Sequence, residues 1–355
     1  MPHVCVDARL YQAAGIGTYL KAAIASLAGR GRYQLSLICR KKDKERLAPY
    51  SCSLIEMDVP IYSAREQLRY RAHIPPCDLF WSPHFNVPLM PIRAKKRLAT
   101  VCDVYHLAHF SSLSFLQKVY AKVMYNAAFL LSDQVTTISE FSKQEITRFS
   151  SCKPKNIVVV PPGFDHFPSQ TVAKPTQNYL LYVGNLKPHK NLVRLVRAYD
   201  LLRPSERLYV VGKKEGLITG DTELFREVEK NPFLKRNVHF TGQVSEERLK
   251  ELYAEAKLFV FPSTYEGFGY PPLEAMAYGC PVVASQAASI PEVCQDAVEY
   301  VDPLSVESIA SGIGRVLSDQ ERREELSHKG KALFEKKKEQ KNLIGDLIDA
   351  CCSYP

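Results

Sequence analysis

Leu258-Phe-Val-Phe-Pro262, followed by Tyr265-Glu266-Gly267-Phe268-Gly269-Tyr270-Pro271-Pro272-Leu273-Glu274-Ala275-Met276-Ala277, is the stretch on which the fold turns. Four consecutive apolar residues without alternation read as a strand buried on both faces, the kind found in parallel sheets. The segment after it reads as a short helix, Pro272–Tyr278, ended by Gly279 and Pro281. Two glycines near a helix start let backbone N–H groups approach a ligand closely. The helix N-terminus adds a partial positive field suited to phosphate. Glu266 and Glu274 flank the turn, and carboxylates accept hydrogen bonds from sugar and ribose hydroxyls. The same spacing equally allows Glu266 to cap the helix and Glu274 to face solvent.

Outward from this stretch, β-like runs alternate with helical patterns. Strands are expected at His3–Val6, Tyr33–Cys39, Cys77–Trp81, Arg97–Cys102, Gln134–Ile138 and Asn156–Val160, with helices at Ile16–Leu27, Ser111–Leu131 and Ser142–Phe149. Ser142-Lys-Gln-Glu145 has capping-box spacing, which places a helix start there. Pro161-Pro162-Gly163, Pro168 and Pro175 punctuate a polar stretch that reads as a linker. Beyond it the strands Tyr179–Val183, Arg207–Val211, Asn237–Thr241, Leu258–Phe261 and Pro281–Ala284 alternate with helices Asn191–Leu202, Glu246–Ala256 and Pro272–Tyr278. The pattern predicts an α/β protein of two doubly wound Rossmann-like domains, 1–165 and 166–335. Residues 336–355 are expected to form a C-terminal helix packing back on the first domain. Such domains place their chemistry in strand-to-helix loops at the carboxyl ends of the strands, facing an interdomain cleft.

Composition narrows the class. A chain of 355 residues with 46% hydrophobic content buries a sizeable core. Residues 1–165 carry 22 Lys/Arg against 12 Asp/Glu, a net of +10, while the rest carries 25 against 26. That excess suits either a solvated face or attraction to anionic lipid or a phosphorylated acceptor. No nucleic-acid recognition motif accompanies it, so nucleic acid is not expected as a partner. Ten cysteines without a CxxC pair suggest free thiols in a reducing compartment. The chain lacks a signal-peptide pattern and an apolar run of about 18 residues, so a cytoplasmic protein is expected, peripheral on the inner face of the membrane at most. The densest apolar segment, Val119 to Leu131, is interrupted by Lys122 and Asn126. It reads first as a core-facing helix and second as a surface that touches a membrane.

The segment 265–277 resembles the Glu-x7-Glu signature of the largest family of retaining glycosyltransferases with the GT-B fold, the family 4 type with its bacterial mannosyltransferases. Gly279-Cys-Pro-Val-Val-Ala-Ser285 and Ser289-Ile-Pro-Glu292 fit the same pattern. The resemblance implies that Glu266 holds hydroxyls of a donor sugar, that Glu274 grips a ribose, and that the amides of Gly267, Phe268, Gly269 and Tyr270 face the sugar and diphosphate. Tyr182-Val-Gly-Asn-Leu-Lys-Pro-His-Lys-Asn191 is similar to the family's phosphate loop. Gly184 opens it, and Lys190 matches the family lysine. The positions that usually hold arginine carry Asn185 and His189, leaving Lys187 and His189 as helpers. Cations there neutralise the charge that builds as the sugar–phosphate bond breaks.

Four further segments carry the resemblance. Gly15-Ile16-Gly17, after Asp7-Ala-Arg9, lies in the family at the mouth of the first domain, its amides near phosphates or acceptor. It lacks the third glycine of a dinucleotide fingerprint, and a packing turn into the helix is the alternative. Thr100-Val-Cys-Asp-Val104 stands where relatives read His-Asp. Cys102 replaces the histidine, and a neutral thiol is a weak proton acceptor. Asp103 remains as the catalytic polar group, with His106 and His84 as further acceptor-side residues or structural ones. Thr137-Ile-Ser139-Glu140 matches a helix start, with Ser139 a polar contact. In Thr241-Gly242-Gln243-Val244 the backbone of Gly242 and Val244 reads a nucleotide base.

The implied enzyme is a metal-independent hexosyltransferase that uses no cofactor beyond its nucleotide-sugar co-substrate. GDP-mannose stands first and a UDP-sugar second. A hydroxyl of a glycan or lipid-linked acceptor attacks on the face from which the diphosphate departs, in polysaccharide or lipopolysaccharide assembly. Asp-x-Asp, a common metal-binding motif, is absent, and Lys190 takes a cation's place. The competing readings are a nucleotide-sugar epimerase or hydrolase of the same fold, and a sugar-nucleotide-binding protein that has lost activity.

Overall fold

Among the described residues, thirteen strands form two all-parallel sheets. The computed structural model describes residues 1–13, 15–150, 156–164, 167, 178–212, 222–340 and 343–353. Two units result, one of Met1–His166 with Gln340–Pro355 and one of Phe167–Glu339. The expected linker over 161–176 lies largely outside the described residues.

The first unit holds β1 (His3–Asp7), β2 (Gln34–Cys39), β3 (Ser53–Glu56), β4 (Cys77–Ser82), β5 (Ala94–Thr100), β6 (Gln134–Thr137) and β7 (Ile157–Val159), in the order β3-β2-β1-β4-β5-β6-β7. The second holds β8 (Tyr179–Val183), β9 (Arg207–Val211), β10 (Val238–Gly242), β11 (Leu258–Phe261), β12 (Val282–Ser285) and β13 (Glu299–Val301), in the order β10-β9-β8-β11-β12-β13. Each sheet therefore reverses its winding between its first and fourth strands, the doubly wound arrangement. β11 and β12 are buried along their whole length, as central parallel strands covered on both faces must be.

β3 and β13 were not anticipated by the sequence reading. Both lie at sheet edges and are short and partly exposed, so they lack the apolar density that marks central strands. The Ala64–His73 helix is also new; it buries only Glu66 and Tyr70, leaving no apolar stripe to read. Three helix starts move by two residues or more; the expected Pro272–Tyr278 helix runs over Tyr270–Ala277. The expected Ser142 start falls inside a helix that begins at Glu140, because Ser139 is its cap, accepting from the Ser142 N–H at 3.0 Å. The expected Ser111–Leu131 helix begins at Phe115, where Ser114 and Gln117 form a capping box.

One helix spans Gln320–Glu339 without a break at 336 and groups with the second unit. The following helix, Leu343–Ser353, lies in the first unit. Arg30 pairs with Asp346 at 2.7 Å and Asp349 at 3.0 Å, and Lys96 Nζ donates to the Cys351 carbonyl at 3.0 Å.

Candidate functional site

The carboxyl ends of β8 and β11 are neighbours at the reversal of the second sheet, where open α/β sheets bind ligands. The chain leaves β8 through Gly184–Lys190 and β11 through Pro262–Gly269. These loops are joined: the Thr264 N–H and hydroxyl donate to the His189 carbonyl at 2.8 and 3.1 Å. Asn191, in left-handed backbone at φ 62°, donates its side-chain amide to the carbonyls of Pro262 and Pro303 at 3.0 and 2.6 Å. Asparagine tolerates that conformation better than most residues.

That framework brings Lys190 and Glu266 together. Lys190 Nζ donates to Glu266 Oε1 at 2.5 Å, and Ser263 Oγ lies 2.5 Å from the same oxygen. The two side chains are 16% and 13% exposed, enough to meet a ligand and little enough to feel each other's charge. The ammonium also stands 5.5 Å from the Phe261 ring centroid. An ammonium has three donors and a carboxylate about four lone-pair sites, so the pair keeps capacity for further partners.

The turn before the Tyr270–Ala277 helix is built for close packing. Gly269 adopts φ 101°, and a Cβ there would come 2.5 Å from Ile290 Cδ1. Ser289 Oγ stands 2.9 and 2.8 Å from the Glu266 and Phe268 carbonyls. Gly269 caps the helix without a side-chain hydrogen bond, so Glu266 is not its cap. Pro271 and Pro272, the second and third residues of the Tyr270–Ala277 helix, lack N–H groups and contribute no donors to its first turn. Gly184 sits under Tyr182, whose hydroxyl would be 2.7 Å from an added Cβ. Burial, then the nearby Glu266 charge, pushes that phenol well above its usual range.

Glu274 is half-buried rather than turned to solvent, and Tyr253 Oη donates to its Oε2 at 2.9 Å. Gly242 ends β10 in left-handed backbone, φ 74°, and its carbonyl accepts from Gly212 at 3.0 Å. Val244 follows in the loop before Ser245, the cap of the Glu246–Glu255 helix. Asn185 receives the Lys187 N–H on its carbonyl at 2.9 Å.

The residues expected on the acceptor side, Cys102, His106, His84 and Ser139, lie in the first unit, as do Gly15, Gly17 and Asp103. Gly15 has φ 73° before the Ile16–Arg30 helix. An added Cβ on Gly17 would sit 2.6 Å from the Tyr11 carbonyl, so close packing alone requires that glycine. Burial, then the Asp103 charge, raises the Cys102 thiol far above its normal value, so it stays neutral and supplies no base. Asp103 Oδ1 accepts the Tyr105 N–H at 3.0 Å and shapes the Tyr105–Ala108 turn. His84 is pushed down to about 3 by burial and by His106. Its Nδ1 lies 3.2 Å from the Asn86 N–H and its Nε2 3.2 Å from Tyr62 Oη. A neutral ring accepting at Nδ1 donates at Nε2, which occupies both nitrogens. His106 packs edge-on to Phe85 at 5.7 Å. Ser139 is fully buried as the helix cap, in keeping with the helix start that its segment resembles.

Two family models cover the chain in sequence: glycosyltransferase family 4 over residues 13–166 and glycosyl transferases group 1 over 163–333. The O-antigen chain mannosyltransferase B of Escherichia coli is 30% identical over 269 residues, covering 72% of this chain and 69% of that protein. The chain belongs to the family 4, group 1 glycosyltransferases. Among solved structures, sucrose-phosphate synthase of Thermosynechococcus elongatus matches with a TM-score of 0.79 at 20% identity, covering 99% of each chain. The Anabaena protein HepE in complex with UDP and glucose matches at 0.73 and 18%, covering 100% of each. The two doubly wound units are thus those of the GT-B fold.

A buried ion network that the sequence pattern does not announce follows β1 in this glycosyltransferase. Arg9 donates to Asp7 at 2.8 and 2.6 Å and to Glu66 Oε1 at 2.6 Å, and Tyr70 Oη donates to Asp7 at 2.9 Å. Asn86 Nδ2 donates to Glu66 Oε2 at 2.7 Å. The Arg9 charge and its hydrogen bonds, outweighing desolvation, hold Asp7 below the usual carboxylate range. Ser63-Ala-Arg-Glu66 has capping-box spacing and could have revealed this helix start.

Proposed function

We propose that this glycosyltransferase is a retaining, metal-independent hexosyltransferase. In this reading it moves mannose from GDP-mannose to a hydroxyl of a glycan or lipid-linked acceptor, in polysaccharide or lipopolysaccharide assembly. The observation that carries it is the Lys190–Glu266 pair at the reversal point of the second sheet. A cation and a carboxylate held side by side serve opposite ends of one ligand, the leaving diphosphate and the sugar hydroxyls. Lys190 and the amides of Gly267 to Tyr270 stabilise charge on the departing phosphate. Glu266, steadied by Ser263, orients the sugar, Glu274 holds the ribose, and the Gly242–Val244 backbone reads the base. The leaving phosphate oxygen takes the proton of the attacking hydroxyl. No strong base is then required, which fits a neutral Cys102 and a His84 with both nitrogens engaged.

Mannose is supported by the names of the relatives, among them an O-antigen chain mannosyltransferase. A UDP-sugar is the second reading, favoured by the fold shared with a protein holding UDP and glucose. A thermal-shift screen of nucleotide-sugars separates the two, followed by transfer assays with the anomer read by NMR. Stabilisation by GDP-mannose and an α-linked product are expected. An inverted product, or donor consumption without transfer to any acceptor, would overturn the proposal. Action at the inner face of a membrane fits the basic first unit and a lipid-linked acceptor.

A further inference from the structure

The Phe115–Leu131 helix has two apolar faces, and its fold explains only one. Ala121, Met124, Tyr125, Ala128 and Phe129 are buried, packed with Phe85, Val101, Val135 and Ile146. At about 100° per residue these five lie together on one side. Phe115, Leu116, Val119, Val123 and Leu130 share the opposite side within about 100° of arc. They are exposed, Phe115 and Leu116 by 78% each and Leu130 by 67%. Large exposed apolar patches mark interaction surfaces.

The chemistry of the occupant follows from charge and length. Between Asp103 and Asp133 the sequence contains no acidic residue, while Lys118 and Lys122 lie within the helix. Lys122 flanks the apolar stripe and is exposed; Lys118 extends over the Phe110 ring at 5.7 Å, and Phe110 is itself exposed. At 1.5 Å per residue the 17-residue helix is about 25 Å long, and none of the described helices is long and apolar enough to cross a membrane. Apolar residues on one face with Lys122 at its margin, on a positively charged domain, suit a helix lying flat in a lipid headgroup layer.

We propose that the outer face of the Phe115–Leu131 helix docks the protein onto an anionic bilayer. The five apolar side chains enter the acyl boundary, and Lys122 meets lipid phosphates. This surface deepens the reading of a lipid-linked acceptor by bringing the first unit to the plane in which such an acceptor lies. Vesicle binding needs neither donor nor acceptor, so its outcome is independent of glycosyl transfer.

The test is co-flotation of the purified chain with vesicles of 3:1 phosphatidylethanolamine:phosphatidylglycerol and with pure phosphatidylcholine. Binding is expected to the first, falling at least fivefold on the second or at 1 M NaCl. Leu116→Ser with Val123→Ser should reduce it at least tenfold. Lys122→Glu should reduce it severalfold, with the circular dichroism and thermal midpoint of each variant unchanged. Absence of wild-type binding to the anionic vesicles would overturn the proposal, as would equal binding by the serine variant. So would a dimer in sedimentation that the serine variant converts to monomer without any vesicle binding, because the stripe would then be a contact between copies.

Discussion

Replacing Lys190 by methionine tests the site most directly. The side chain keeps its length and loses its charge. Removing one preorganised donor from a developing oxyanion costs about 10²–10³ in turnover, or ~3–4 kcal/mol. The folding cost should be smaller. Hydrogen bonds to charged groups contribute about 1.5–3 kcal/mol, and Glu266 keeps Ser263 Oγ at 2.5 Å and some access to solvent. Steady-state release of nucleoside diphosphate, measured well below the thermal midpoint, should therefore fall about 100-fold or more. Calorimetry with the diphosphate should show weakened binding. The double variant Lys190→Met/Glu266→Gln separates chemistry from stability. It leaves neither charge alone, so it should regain much of the lost thermal midpoint and none of the lost turnover. If Lys190→Met stayed within threefold of wild type in both turnover and diphosphate affinity, the phosphate role of this lysine would be refuted.

Gly269→Ala should lower stability by the ~1–2 kcal/mol cost of left-handed backbone, with the Ile290 Cδ1 methyl, 2.5 Å from the added Cβ, turning aside; urea denaturation measures it, and an unchanged midpoint would contradict the turn geometry. Arg9→Met should cost about 3–5 kcal/mol by stranding buried Asp7 and Glu66, read by denaturation or by loss of soluble protein. His84 has an ordinary value of 6.5 and a folded value of about 3. The folded state thus resists protonation, and its stability is full above pH 6.5 and declines as pH falls toward 3; His84→Gln should flatten that decline, and an unchanged acid limb would count against it. EDTA should leave the transfer rate unchanged, whereas strong inhibition reversed by magnesium would contradict a lysine acting in place of a metal ion.

What could be read without coordinates was whatever local physics fixes. β8, β9 and β11 match their expected limits because central parallel strands are continuous apolar runs, legible residue by residue. That Lys190, Glu266 and the Gly267–Gly269 turn follow the carboxyl ends of strands was legible from the strand–loop–helix pattern, while their roles were implied only by the resemblance to the family's motifs. Tertiary structure alone decided the rest. That Lys190 and Glu266, 76 positions apart, share one hydrogen bond depends on β8 lying beside β11, and strand order leaves no mark on either strand's own composition. The edge strands β3 and β13 owe their form to neighbours rather than to apolar density. Glu66 and Tyr70 look like an ordinary polar helix until the sheet carries Arg9 against them. The two faces of the Phe115–Leu131 helix differ in what covers them, not in kind of residue, so only packing against β5 and its neighbours separated core from surface.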